Sequence, residues 1–408
     1  MTETLHPAFP NQPTPLLSYG LPFTEAILKH TKSTHPSERS YVICSASLAK
    51  NTSHLDALKQ ALGPQMAGLR VGMRSHSHWS DILEVVQDAR HCNADCIITL
   101  GAGSLTDAAK VISLALANSI TTESELETLL PDSSSTRAQV FTSQIPIICI
   151  PTSLSGGEYS SFAGATRDSD GRKYVFRRPE IKGPSLVILD PVVAMTTPDS
   201  IWLSSGVRAL DHCIETLCAL GSNEAADETA RNGLRKLIPG LLRAKSNRDD
   251  QKATLDCFLG SVDAMGAAVS GVPLGASHGI GNQLGPVGVG HGETSCILNP
   301  AVCKYNYKKR ANIERQDATA GILWEDPAAA AIFEEKGLSR ESSDLGDLMD
   351  AIIRALGMPR SLKQFGVKED QLDGIAENSL KHIWVQSNPA PLDKQGVLEI
   401  LTTVLDES

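Results

Sequence analysis

The 408-residue sequence predicts an α/β N-terminal domain built on a parallel sheet, followed by an all-helical C-terminal domain. Three observations carry this expectation. The chain is too long for one ordinary hydrophobic core, so it should divide. In the first half, short apolar runs rich in β-branched residues alternate with stretches of helical period, the pattern of strands joined by crossover helices. In the second half strand-like runs nearly vanish and long stretches of helical period replace them. Thr197-Pro198-Asp199 reads as a helix start, so the expected domains are 1–197 and 198–408.

Residues 1–16 carry four prolines and read as an arm rather than a packed element. Strands are expected at 41–44 (YVIC), 96–100 (CIITL), 145–150 (IPIICI) and 186–189 (LVIL), and helices at 81–89 and 106–117. The polar segment 133–143 reads as a loop. Beyond the boundary, 201–220, 225–244, 253–269, 345–356 and 394–405 have helical period. There is no internal repeat.

Composition excludes several classes of function. Hydrophobic residues make up 41% and charged residues 21%, values of a globular protein. The formal net charge is -10, and Lys308, Lys309 and Arg310, the densest basic run, read as a solvated helix face. Nucleic acid is therefore not an expected partner. The nine cysteines are odd in number and irregularly spaced without C-x-x-C, and some, such as Cys149, sit inside apolar runs. Free buried thiols in a reducing compartment account for this better than a disulfide framework. No signal-peptide pattern opens the sequence, no window approaches 18 apolar residues, and DES at the end is not a targeting signal. The expectation is a cytoplasmic protein with no membrane association.

The most informative stretch runs from Leu100 to Lys110. A strand leads into Gly101-Ala102-Gly103-Ser104, and a helix follows. Glycines let backbone approach a pyrophosphate, a helix N-terminus offers free N–H groups and partial positive charge, and Ser104 adds a donor. The third glycine of the dinucleotide fingerprint is absent; Thr106 stands there.

The longer run G-x-G-S-x-x-D-x-A-K, residues 101–110, resembles the nucleotide motif of the iron-containing alcohol dehydrogenases and of dehydroquinate synthase, with Ala102 where GGGS is usual. Pro151-Thr152-Ser153 with Gly156-Gly157-Glu158, Asp190-Pro191, the segments 206–215, 277–285, 291–300 and 358–362, and Asn388-Pro389 resemble further landmarks of that superfamily. The likeness thus extends along most of the chain. It implies an NAD(P)-dependent oxidoreductase whose first domain binds the dinucleotide, NADPH or NADH. Gly101, Gly103 and Ser104 would hold the pyrophosphate, Asp107 would serve the nicotinamide end, and Lys110 would brace the site. Thr152 and Ser153 would contact the cofactor, and Lys173 would lie near the ribose. Ser45 stands where many NAD-preferring relatives carry an acidic residue that repels a 2′-phosphate. The resemblance also implies a homodimer with an extended N-terminal strand.

Metal-dependent members of this superfamily hold zinc or iron with one aspartate and three histidines. His212, His278 and His291 match the histidines, so they are the ligands if a metal is present. The aspartate position, four residues before His212, is Arg208, whose charge opposes a divalent cation. Asp211 is one residue from His212, about 100° round the helix, and substitutes poorly. Asn282 replaces a further histidine linked to proton transfer. No metal is the expectation, and the pattern is closest to the maleylacetate reductases. That likeness implies hydride transfer to an unsaturated or carbonyl small-molecule substrate that is carboxylated. Arg208 would clamp a carboxylate and stabilise enolate charge, with His212, His278 and His291 holding and polarising the substrate. A histidine or Tyr159 would supply the proton. Metal-dependent alcohol oxidation and a non-redox lyase or cyclase on the same scaffold remain the alternatives.

Overall fold

The computed structural model describes residues 2–131 and 139–406. The expected loop at 133–143 lies outside the described residues as far as 138. The chain falls into two compact units, Met1–Thr197 and Pro198–Ser408.

The first unit is built on a seven-stranded sheet. Its strands are β1 (Thr4–Pro7), β2 (Leu16–Tyr19), β3 (Ser40–Cys44), β4 (Met66–Val71), β5 (Cys96–Gly101), β6 (Ile147–Pro151) and β9 (Leu186–Leu189), in the order β1-β2-β9-β6-β5-β3-β4. All neighbours pair in parallel except β1 with β2. Every residue of β3, β5, β6 and β9 is buried, which is why these strands read as unbroken apolar runs rather than alternating ones. The Trp79–His91 helix leads into β5, and the Gly103–Ala117 helix leaves it. A separate antiparallel ribbon joins β7 (Ala163–Thr166) to β8 (Lys173–Phe176).

The N-terminal segment corrects the expectation of an arm rather than a packed element. Residues 4–7 pair with 16–19 as a hairpin on the sheet edge. Glu3 staples it: its Oε1 accepts from Ser18 Oγ at 2.5 Å and lies 2.6 Å from His30 Nε2, while Oε2 pairs with Lys29. Prolines are tolerated there because an edge strand leaves some N–H positions unused. Strands β4, β7 and β8 escape a sequence reading because they are short or only partly buried.

The second unit has helices and no strand among its described residues. The expected stretches appear as Asp199–Cys218, Glu224–Ser246, Gln251–Ala268, Leu345–Ala355 and Lys394–Thr403. Two helices that matter for the site, Ala276–Leu284 and His291–Lys308, are additional. The first is glycine-rich and the second carries Pro300, both unfavourable signals for helix that packing overrides. Ile280, Leu284, Leu298, Val397 and Leu401 belong to the core that holds them. All nine cysteines are free, and all but Cys92 are buried. Among the described residues no helix is long and apolar enough to cross a membrane.

Candidate active site

Sheet topology sets the nucleotide end. β3 is flanked by β4 on one side and β5 on the other, so the strand order reverses between β3 and β5. In open α/β sheets such a switch point opens a crevice at the carboxyl ends of the strands. Ser45 and Gly101 stand there, and the Ser45 N–H donates to the Leu100 carbonyl at 3.0 Å. Gly101 has φ +152°, and a Cβ on it would fall 2.7 Å from Leu105 Cδ1 and 3.0 Å from Ser45 Cβ. A Cβ on Gly103 would meet Ser155 Oγ at 2.5 Å. Gly101 thus demands glycine by its backbone conformation and its packing, whereas at Gly103 the atom met is a rotatable hydroxyl.

The Gly103–Ala117 helix starts with no side-chain cap and no acidic residue in its first turn. Its leading amides remain open to an anion. Ser104 is exposed beside them, and its carbonyl accepts from Ser77 Oγ at 2.7 Å. Thr152 closes the next strand end by donating its N–H to Gly101 O at 3.0 Å, and Ser153 Oγ lies 2.9 Å from Ser155 Oγ.

One turn into the helix, Asp107 is held between Lys110 Nζ at 3.1 Å and the Gly164 N–H at 3.2 Å. Lys110 is fully buried and also donates to the Phe162 carbonyl at 2.8 Å, tying the helix to the ribbon. The Lys173 stem lies against Gly164, so it is close to Asp107's anchor. Thr106, in place of a third glycine, donates to Glu158 Oε1 at 2.8 Å. Burial pushes that Glu158 carboxyl up. Tyr159 is only 4% exposed, packed in the Gly157–Tyr159 turn.

In the helical unit, Arg208, Asp211, His212 and Glu215 project from the Asp199–Cys218 helix. Their spacing puts Arg208 with His212, and Asp211 with Glu215, on common faces. The His212 and His278 rings stack with centroids 4.6 Å apart and planes 18° from parallel. Arg208 Nη1 donates to the His291 carbonyl at 3.2 Å, which brings the N-terminus of the His291–Lys308 helix to the same place. Among the described residues Arg208 makes no ion pair. Burial disfavours its charge while the Asp211 and Glu215 carboxylates favour it.

Behind this face lies a network that sequence reading missed. Glu215 Oε1 accepts from the Ser277 N–H at 2.8 Å, and Oε2 accepts from the Gly275 N–H at 2.9 Å. His278 Nδ1 stands 2.8 Å from Glu215 Oε2 and 3.4 Å from Asp211 Oδ2. Asp211 accepts from Ser277 Oγ at 2.7 Å and from Asn299 Nδ2 at 2.6 Å. Burial pushes the Glu215 carboxyl up to about 7 and holds the His278 imidazole down at about 3, so the ring is neutral. Burial likewise keeps His212 well below its ordinary value, with His278 and Arg208 adding to the effect. The far nitrogen of His278, Nε2, is buried without a hydrogen-bond partner among the described residues. A buried polar atom left so costs about 1–3 kcal/mol, which marks the position as more than packing. The sequence signal was two carboxylates four residues apart in an otherwise apolar run, LDHCIETLC. Asn282 does not stand alone either: its amide lies 3.1 Å from His382 Nε2.

These residues do not make the one-aspartate, three-histidine metal site. Asp211, Glu215 and His278 bring potential ligand atoms within 4.8 Å of one another. All four carboxylate oxygens, however, already accept hydrogen bonds. Two of them, Glu215 Oε2 and Asp211 Oδ2, face Nδ1 of His278, on the other side of the ring from Nε2. An ion on Nε2 would have neutral imidazoles and the Arg208 cation as neighbours. Two unit charges at 4 Å repel by about 4 kcal/mol at an effective dielectric of 20, more for a divalent ion. The nucleotide loop, by contrast, fits a dinucleotide: glycine backbone without side chains stands beside an uncapped helix start.

Residues 23–191 match the family described as iron-containing alcohol dehydrogenase, and residues 202–405 match the C-terminal part of the Fe-containing alcohol dehydrogenase family. The chain is 39% identical to Dehydrogenase ALT3 of Alternaria alternata over 380 residues, covering 89% of this chain and 98% of that one. It is 37% identical to Dehydrogenase FUM7 of Gibberella moniliformis over 422 aligned positions, covering 97% of each. Maleylacetate reductase of Rhizobium sp. strain MTP-10005 is 28% identical over 363 residues, covering 88% of each. The crystal structure of that reductase superposes with a TM-score of 0.73 at 24% identity, covering 99% of this chain and 97% of that one, and shows the shared fold. The protein belongs to the iron-containing alcohol dehydrogenase family and is an oxidoreductase.

Proposed function

We propose that the protein is an NAD(P)H-dependent reductase of a small, carboxylated, unsaturated or carbonyl compound, acting without a divalent metal. The observation that carries this reading is Arg208. Among the described residues its guanidinium donates to the His291 carbonyl and makes no ion pair. Its remaining donors suit a carboxylate, which a guanidinium grips in a bidentate way.

Reduced nicotinamide, when bound, supplies the hydride. Gly101, Gly103 and Ser104 take its pyrophosphate, Thr152 and Ser153 line the neighbouring strand end, and Asp107 and Lys173 stand further along the same surface. Arg208 holds the substrate carboxylate and stabilises the oxyanion of an enolate formed when hydride adds to a conjugated C=C bond. His212, His278 and His291 shape the pocket around it. The proton that completes reduction comes from a histidine or Tyr159. Ser45 carries no charge to repel a 2′-phosphate, so NADPH is admitted alongside NADH. The similarity to maleylacetate reductase supports the reaction type. Free, mostly buried thiols support a cytoplasmic setting. The exposed edge strand β1 supports assembly as a homodimer.

NADPH and NADH oxidation against a panel of unsaturated keto acids, aldehydes and ketones tests the reading. Carboxylated, unsaturated members should give the highest kcat/KM, unaffected by chelator. Activity confined to neutral alcohols, lost on chelation and restored by metal, would overturn it.

A further inference from the structure

The buried network around Glu215 bears on what the substrate must offer. Both Glu215 oxygens face fixed backbone donors, the N–H groups of Gly275 and Ser277. A carboxylate that accepts from two amides takes a third donor at the same edge, and His278 Nδ1 stands there at 2.8 Å. Asp211 Oδ2, itself accepting from Ser277 Oγ, adds a second acceptor 3.4 Å from the same nitrogen. With both carboxyls ionised, two acceptors face one ring nitrogen, and that specifies the tautomer: the proton is on Nδ1. The ring is clamped as well, by the His212 ring stacked on its face and by Trp384 at its edge, 87° to its plane. What remains is Nε2, an sp² lone pair with no partner among the described residues, buried in the helix cluster that carries Arg208.

We propose that Glu215 is a positioning residue that locks His278 in the Nδ1–H tautomer, so that Nε2 is presented to the substrate as a hydrogen-bond acceptor. The group recognised there is a donor, a hydroxyl or an un-ionised carboxyl of the substrate, next to the anionic group held by Arg208. His278 is thereby removed from the candidates for proton donor, leaving His212, His291 and Tyr159. The inference deepens the reductase reading and rests on its placing substrate beside Arg208.

The test uses the full chain labelled with ¹⁵N-histidine, read by long-range ¹H–¹⁵N correlation, with His278→Asn to assign the His278 signals. The expected spectrum has a protonated Nδ1 and an unprotonated Nε2. An Nε2–H ring, or an even mixture, would overturn the proposal. Glu215→Met removes the acceptor and should add signals of the other tautomer; a folded variant whose His278 spectrum is unchanged counts against the lock. Should that variant not fold, the parent spectrum and a pair of His278 variants decide. In His278→Gln the amide reaches the place of Nε2, and in His278→Asn only that of Nδ1. With an active member of the panel, His278→Gln should recover about tenfold of the kcat/KM lost in His278→Asn, the worth of one such hydrogen bond. Equal losses would refute the acceptor role. The tautomer result holds whether or not the panel contains a substrate, so it separates this inference from the reductase reading.

Discussion

Ser45 and Gly101 meet at the switch point of the sheet: a Cβ on Gly101 would stand 3.0 Å from the Ser45 Cβ. The hydroxyl of Ser45 therefore lies beside the loop proposed to carry the cofactor phosphates. Ser45→Asp should weaken NADPH more than NADH, because a carboxylate there repels the 2′-phosphate and accepts from a ribose hydroxyl. A ratio of dissociation constants changed by about tenfold or more is expected, and fluorescence titration with both cofactors reads it. Equal weakening would remove Ser45 from the cofactor site.

Gly103→Val should obstruct both Ser155, whose Oγ already lies 2.5 Å from a Cβ at that position, and an approaching pyrophosphate. Cofactor affinity should fall by about tenfold or more in a folded protein, as judged by titration and circular dichroism together. Parental affinity would place the dinucleotide elsewhere.

Arg208→Met should lower kcat/KM for a carboxylated substrate by about 10- to 150-fold, the range for losing a hydrogen bond to a charged group. A neutral substrate of the same size should be affected little. Arg208→Asp should lower turnover of the anion similarly and raise affinity for zinc, since it supplies an anionic ligand four residues before His212. Stoichiometric metal in the parent protein, measured after purification without chelator, would contradict the metal-free reading.

Glu3 predicts an acid-sensitive hairpin. Burial raises its pKa, but hydrogen bonds from Lys29, Ser18 and His30 outweigh burial and hold the carboxyl at about 2, against an ordinary 4.5. A carboxyl with a depressed folded value contributes stability that is present above its unfolded pKa and lost as pH falls through the folded one. Between pH 4.5 and 2 the parent should therefore lose stability that Glu3→Gln does not lose. Thermal melts of both proteins across that window should converge at the acid end; parallel curves would refute the staple.

The exposed β1 edge predicts self-association. Light scattering at micromolar concentration should give the mass of a dimer, and a deletion of residues 2–7 should shift it towards monomer. A monomeric parent would refute this.

How far the sequence could be read differs between the two halves of the site. The glycine loop was legible because its signal is local: a strand, two glycines and a helix start are contiguous, and backbone geometry follows from neighbours in the chain. Arg208 and the three histidines were legible only through motif spacing. Glu215 was not, although it lies seven residues from Arg208 on the same helix. Its partners Gly275, Ser277 and His278 are some sixty residues away, and nothing in periodicity announces a hydrogen bond across that separation. Asp211 looked expendable because helical geometry turns it away from His212. The same rotation is what aims it at Ser277 and Asn299.

By itself the sequence determined the architecture: buried β-branched runs can be satisfied only in a covered parallel sheet, and amphipathic stretches only in helices packed on one another. It also determined that a cation stands where an anionic ligand is usual. Tertiary structure alone decided that the proline-rich start becomes an edge hairpin, since strand pairing draws on partners distant in sequence such as β9. It alone decided the tautomer of His278 as well. A ring nitrogen carries its proton where an acceptor waits, and that acceptor is brought by the fold, not by the neighbours of His278 in the chain.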